Sequence, residues 1–367
     1  MHGRMRKNRH GRLLIFNCHE SWIYQFTSLN YELDIIVGLP GHHSKTWDTH
    51  ARPIPPRARL ITRAEAQRTQ QQYACIIAHN PSDLLDIRHR TEPCILVLHL
   101  PVEARILLEN SKMTPQSAQA ILNQYTEITQ THIVAVSQLK GQSWGHTGDL
   151  IPFGFDCEDY QSPTYQIARG LRIANFIHQR QQFLKWDFHM QAFNDIPVTL
   201  IGHNPDMPQV APSRDWTQLK TLLQTHRFYI HTADPSLEDG YNMASMEAMA
   251  AGLPVLGNCH PSSPVEHGVN GFLSDDPLEL KAYAKRLIIQ PELARDMGRA
   301  AQRTVQKYFA LSQFAERMQQ AIHTAQCKKA SYTAAIKSEV SKPRQQPISI
   351  QELKLPSAQK ATAPIQL

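Results

Sequence analysis

Short apolar runs separated by polar, helix-compatible stretches limit what this chain can fold into. Leu13 to Phe16, Ala74 to Ala78, Ile95 to Leu98 and Ile133 to Val136 are rich in Ile, Val and Leu. They are short enough for strands and apolar enough to be covered on both faces, as the strands of a parallel sheet are. Phe228 to His231 reads as a strand further on, and Leu171 to Ile177 is a further apolar segment. Strands alternating with helices predict parallel sheets, and the first four runs predict a Rossmann-like domain at the front of the chain.

The most informative segment runs from Pro235 to Val255. Gly240 supplies a flexible lead, Asn242 is a good N-cap, Ala and Met fill the body, and Gly252 with Pro254 ends it. The start of such a helix directs free amides at whatever lies beside Gly240. Asp239 and Glu247 stand eight residues apart, about 12 Å if every step were helical. That is too long for the carboxyl pair of a retaining glycosidase, which sits about 5 Å apart. The two acids therefore suit separate ends of one elongated ligand, with the helix amides meeting a diphosphate between them. A nucleotide sugar has that shape.

Asp239 through Glu247, with Tyr241 after Gly240, resembles the acidic-x7-Glu motif of the retaining GT-B glycosyltransferases of family 4, the "group 1" glycosyl transferases. The count runs from Asp239, not Glu238, and Asn242 stands where the family usually has Gly. Arg180 and Lys185, five apart, are similar to the family's Gly-Arg-x-x-x-x-Lys signature, with Gln179 before and Trp186 after in place of glycines. Ile196 to Gly202 resembles the strand before the nucleotide-binding segment. Pro264-Val265-Glu266 and Val269 to Leu273 look like the tail that follows the donor helix. The resemblance covers Ile133 to roughly Phe314 and is strongest from Pro235 to Leu273. It implies an α/β GT-B fold, two Rossmann-like parallel-sheet domains facing across a cleft.

It also implies roles. Glu247 holds the ribose and Asp239 the hexose, while Arg180, Lys185 and the helix amides around Gly240, Tyr241, Asn242 and Met243 hold the diphosphate. Gly202 belongs to the same donor-binding set, and His99, just after Ile95 to Leu98, corresponds to a histidine that contacts the transferred sugar. Ser137, after Ile133 to Val136, is a similar case. Cations are needed because negative charge builds on the diphosphate as the sugar departs, and preorganised donors stabilise that charge most in the transition state. Asn17 to Trp22, after the first apolar run, lacks the Gly-rich loop many relatives carry there.

The joint between halves is Ile151 to Asp156, similar to the family's Ile-Pro-Asn-Gly-Val-Asp linker; its Pro and Gly mark a turn on physical grounds alone. The expected division is a basic extension over 1–11, an acceptor domain over 12–152, a donor domain over 153–327 and a disordered tail over 328–367. Gln313 to Ala325 reads as an amphipathic helix with Phe314, Met318, Ala321 and Ile322 on one face. In GT-B proteins the last helix crosses back to the first domain, so the same is expected here.

The formal net charge is +6. Arg4, Arg6, Lys7, Arg9 and Arg12 stand at one end and Lys328, Lys329, Lys337, Lys342 and Arg344 at the other. Solvated ends are one reading; contact with anionic lipid, worth about 1 kcal/mol per cation, is the other. No zinc spacing or basic and aromatic platform points to nucleic acid. The six cysteines include no Cys-x-x-Cys pair, which fits a reducing cytoplasm without a disulfide framework. No run reaches the length of a signal-peptide core or a membrane span. Of the 19 histidines, the pair His42-His43 makes no convincing ligand set. No metal and no cofactor beyond the nucleotide-sugar co-substrate is expected.

These readings converge on a cytoplasmic retaining hexosyltransferase, with a glycan, lipid-linked or small-molecule acceptor and peripheral contact with an anionic membrane as a further option. Two alternatives stay open: a GT-B epimerase or phosphorylase using the same ligand, and a non-catalytic relative that binds a glycan or a partner transferase.

Overall fold

The computed structural model describes residues 11–41 and 44–340, with side chains to 335. The predicted features at Arg4, Arg6, Lys7, Arg9, His42, His43, Lys342 and Arg344 lie outside the described residues.

The first sheet contains β1 (Arg12–Phe16), β2 (Glu32–Val37), β3 (Ala58–Thr62), β4 (Cys75–Ala78), β5 (Cys94–Leu98) and β6 (His132–Ala135). Its order is β3-β2-β1-β4-β5-β6, every neighbour parallel. This is the doubly wound arrangement, in which the chain reverses direction across the sheet between β1 and β4 and opens a crevice at their carboxyl ends. The four apolar runs became β1, β4, β5 and β6. Sequence reading missed β2 and β3. The charged Glu32 and Asp34 of β2 conceal its apolar character, but in the fold Arg12 pairs with both of them and Arg59 pairs with Asp34. Arg12, read above as part of a basic end, is thus an internal partner of the sheet.

The second sheet contains β7 (Ile167–Ile173), β8 (Val198–Ile201), β9 (His226–Ile230), β10 (Val255–Gly257) and β11 (Gly271–Leu273), in the order β11-β10-β9-β7-β8, again all parallel. The reversal here falls between β7 and β9, so the ends of those two strands form the second crevice.

The helix Leu311–Val340 starts beside the linker, its Leu311 amide donating to the Phe155 carbonyl at 2.9 Å. Phe314, Met318, Ala321 and Ile322 are all buried. The Phe314 ring meets Trp22 and Phe26 of the first lobe edge-on, and Gln319 and Gln326 bond to the Tyr31 hydroxyl and the Ala74 carbonyl. The helix therefore ties the two lobes together. It also continues through Val340, across a stretch expected to be disordered from residue 328: Lys328 to Val340 contains Ala, Lys and Glu and no Pro or Gly, so nothing in it stops a helix already nucleated by packing. Among the described residues no helix is long and apolar enough to cross a membrane, and all six cysteines are free.

Candidate functional site

The helix Met243–Ala250 begins where the sequence places it. Asn242 is extended and its side chain accepts from the Ser245 amide at 2.9 Å, while Ser245 Oγ accepts from the Asn242 amide at 2.8 Å. This reciprocal cap leaves the amides of Met243 and Ala244 as the first-turn donors outside it. Residues 239–242 precede the helix, so the Asp239 to Glu247 spacing is only partly helical. Gly240 is required for close packing, since a Cβ there would come within 2.7 Å of the His260 ring. Its amide donates to Ser262 Oγ at 2.9 Å rather than facing the cleft.

Glu238 and Asp239 sit on a loop after β9 that two histidines hold. His231 Nε2 lies 3.2 Å from the Asp239 carbonyl, and His260 Nε2 lies 3.0 Å from the Glu238 carbonyl. Both carboxylates meet one cation from the other lobe: Lys140 Nζ is 2.8 Å from Glu238 and 3.1 Å from Asp239. Lys140 belongs to the helix Gln138–Ser143, whose N-cap is Ser137, accepting from the Lys140 amide at 3.2 Å. Ser137 thus positions Lys140. Burial pushes the Glu238 carboxyl up, but Lys140 and Arg180 more than offset it, and the group lies below its ordinary value. Burial pulls Lys140 down, and Glu238 and Asp239 raise it well above a normal lysine.

Arg180 reaches Glu238 at 3.6 Å. Its segment is fixed to the loop after β9 from below: the Asp234 amide donates to the Phe183 carbonyl at 2.9 Å, and the buried Arg172, at the end of β7, donates to the Leu184 carbonyl at 3.1 Å and to Thr232 Oγ1 at 2.9 Å. Burial lowers the Arg172 guanidinium to about 10. Lys185 has positive φ, 43°, at the N-cap of the helix Trp186–Phe193, and its Nζ lies over the Phe188 ring at 5.2 Å. The structure thus joins Arg180 to the acidic loop through a side chain, and Lys185 through its backbone neighbours.

Glu247 is buried and ion-paired with Arg52, from the first lobe, and accepts from the Tyr160 hydroxyl at 3.1 Å. Arg52 also lies over the Trp216 ring at 4.6 Å. Gln25 completes this side, its amide lying 3.9 Å from Met243 Sδ. Tyr241 packs edge-on against Phe153 of the linker and Phe309, so it braces the linker. Gly202, just after β8, has φ +146°, and a Cβ there would fall 2.0 Å from the Ala174 carbonyl oxygen. It allows β8 to turn away beside β7.

His99 follows β5. Its Nε2 is 2.9 Å from His79 Nδ1 and 3.7 Å from Cys18 Sγ. Burial, then His79 and Lys140, holds His99 well below the ordinary histidine value.

Each motif acid therefore meets, across the lobes, a cation that sequence reasoning missed: Lys140 at Asp239 and Arg52 at Glu247. Arg52 and Glu247 are 195 positions apart, and Arg52 lies in a loop with no motif. Lys140 carried one faint signal, its place one turn inside a Ser-capped helix.

With this geometry established, comparison with known proteins places the fold. A family model described as "Glycosyl transferases group 1" matches residues 203–304, a stretch holding the loop of Glu238 and Asp239 and the helix of Glu247. No curated protein is matched. Among solved structures, Anabaena HepE in complex with UDP is 15% identical, covers 86% of this chain and 100% of its own, and superposes with a TM-score of 0.62. Sucrose-phosphate synthase from Thermosynechococcus elongatus is 13% identical, with 89% and 100% covered and a TM-score of 0.59. A glycosyltransferase from Rickettsia africae is 11% identical, with 87% and 99% covered and a TM-score of 0.59. The fold is GT-B. At these identities the likeness is one of architecture.

Proposed function

We propose that this chain is a retaining glycosyltransferase that moves a hexose from a nucleotide diphosphate sugar to a glycan, lipid-linked or small-molecule acceptor. The observation that carries this reading is the convergence at the lobe boundary: Asp239 and Glu247 flank the start of the Met243–Ala250 helix, and Lys140, Arg180 and Arg52 supply positive charge from three separate elements. The matched family model and HepE with bound UDP support a nucleotide-sugar donor.

In this reading Glu247 binds the ribose hydroxyls after Arg52 swings away from it. The diphosphate lies at the helix start, met by the Met243 and Ala244 amides, Arg180 and Lys185. As the bond from sugar to phosphate breaks, charge grows on the leaving diphosphate, and these fixed donors stabilise it without reorganising. Asp239 and His99 orient the hexose. The acceptor hydroxyl attacks from the face the nucleotide leaves, and a phosphate oxygen takes its proton, so configuration is kept. No metal takes part in this scheme, and contact of the basic ends with anionic lipid suits a lipid-linked acceptor.

A second reading has its own support. Both motif acids are already paired with cations of the protein, as in a relative that has given up the donor for a scaffold role. Calorimetric titration with uridine, guanosine and adenosine diphosphates and their sugars separates the two. A transferase binds at least one of them and loses that binding in Glu247→Ala; unchanged affinity in that variant removes the ribose role. Product anomer analysis by NMR then decides retention.

A further inference from the structure

Building on the donor reading, we infer that His19 is a further ligand of the donor diphosphate, one that takes up a proton as the nucleotide sugar arrives and so ties donor binding to pH. His19 stands three residues past β1, at the reversal point of the first sheet, where the crevice opens. No glycine lies between Asn17 and Trp22, so a side chain rather than closely approaching backbone occupies this place. Asn17, Glu20, Ser21 and Trp22 are buried, and His19 among them is exposed. Its carbonyl accepts from the Trp22 and Ile23 amides at 3.0 Å, which fixes its backbone. Among the described residues no hydrogen bond engages its ring. The chain on either side is tied to the two ends of the proposed donor. Cys18 Sγ lies 3.7 Å from Nε2 of His99. Glu20 accepts from the Asp48 amide at 3.3 Å, and the Asp48 carbonyl accepts from the Arg52 amide at 3.3 Å; Arg52 in turn pairs with Glu247. His19 therefore sits between the histidine assigned to the hexose and the acid assigned to the ribose, and the diphosphate of an elongated donor joins those two ends.

The ionisable groups facing the ring come from both lobes: Glu20 beside it, Arg52 and His99 from the first, Glu247 and Arg180 from the second. Enclosure by the protein is the largest influence and holds the ring below the ordinary histidine value; Arg52 and Arg180 act with it, Glu20 and Glu247 against it. The ring of the free chain is therefore neutral above neutral pH. Two phosphate charges arriving beside it favour the charged form, and an imidazolium N–H bonded to a phosphate oxygen is a charge-assisted hydrogen bond. The proton passes from the buffer to the free ring nitrogen on binding and returns when the donor leaves. The sign follows from linkage. Binding is strongest at pH below the free ring's value, where the proton is already in place, and weakens as pH rises toward the raised value of the complex.

The probes are the uridine, guanosine and adenosine diphosphate sugars, because their diphosphates have no proton to lose near neutral pH. The full chain is titrated calorimetrically with each at about pH 7.5 in buffers of different ionisation enthalpy, and the slope of observed heat against that enthalpy counts protons. With the sugar that binds, we expect uptake of roughly 0.3–1 proton, and affinity that falls by up to about tenfold per pH unit between about pH 6.5 and 8. His19→Gln, which cannot take the charge, should bind at least about threefold more weakly at about pH 7.5 and take up no proton. His19→Lys, charged throughout this range, should bind more tightly than His19→Gln, again without uptake. Binding without proton uptake in the wild-type chain, or uptake that survives His19→Gln, overturns the inference and leaves the donor reading standing. Absence of binding by all three sugars overturns both. If the variants fail to fold, the wild-type chain decides. The bound nucleotide sugar should protect His19 from diethyl pyrocarbonate, read on its peptide by mass spectrometry, and a ring modified equally with and without it overturns the contact.

Discussion

Replacing Lys140 with Met tests whether the lobes are joined electrostatically in the way the structure implies. Lys140 is only 4% exposed, and the carboxylates it meets, Glu238 and Asp239, are 8% and 1% exposed. Methionine keeps the volume and removes the charge, leaving Glu238 with Arg180 at 3.6 Å and Asp239 with Ser262 Oγ at 3.3 Å. Breaking a buried pair by removing one partner costs about 3–5 kcal/mol, because the remaining charge stays buried without compensation. Arg180 and Ser262 remain, so we expect the lower end, about 3 kcal/mol. With a urea slope of roughly 3 kcal/mol/M, the midpoint falls by about 1 M.

The pH dependence gives the sharper check. In the wild-type chain the Glu238 carboxyl lies below its ordinary value of 4.5, so its contribution is present above that value and is lost as pH falls through the lowered folded value. Without Lys140, burial dominates and the folded value rises above the unfolded one. The variant's carboxyl then opposes folding at neutral pH and takes up a proton as pH falls. Asp239, Arg180, Tyr241 and the His231 and His260 rings are further ionisable groups around it, and they are unchanged in sequence. The stability gap between the two proteins should therefore be widest near pH 7.5 and narrow toward pH 5. A gap below about 1 kcal/mol, or one of equal size at both pH values, refutes the argument.

Gly202→Ala should destabilise by at least about 3 kcal/mol in chemical denaturation, since its φ of +146° and the Ala174 carbonyl 2.0 Å from the new Cβ leave no relaxed position. Arg52→Ala releases Glu247, so donor Kd measured by calorimetry should fall by roughly tenfold, the worth of a charge-assisted bond no longer to be broken; weaker binding would make Arg52 itself a donor ligand. Lys185→Ala should lower kcat by about 10²-fold or more with a smaller change in donor Kd, and equal losses would reduce its part to ground-state binding. Glu247→Ala should abolish calorimetric donor binding, as set out above.

Much of the donor half was legible because its signals are local. Asn242 could be read as an N-cap from its neighbours, and its side chain does receive the Ser245 amide. The apolar runs that became β1, β4, β5 and β6 needed only composition and length, while β8 was read through the family resemblance. Strand β2 escaped because its charged residues are neutralised by Arg12 and Arg59 from adjacent strands, a pairing that composition does not contain. The helical stretch after Lys328 escaped because polar composition does not say whether a preceding helix, already packed, will propagate.

The amino-acid sequence by itself determined the layered α/β plan and the capped helix carrying Glu247, since strand formation and capping depend on residues a few positions apart. Only the tertiary structure decided which charges meet. Arg52 and Glu247 face each other across 195 positions, and Lys140 and the strand-end cluster of Cys18, His79 and His99 are assembled by sheet order and by lobe packing. Pairing of buried ions depends on distance in space and on exclusion of water, and neither is written in spacing along the chain.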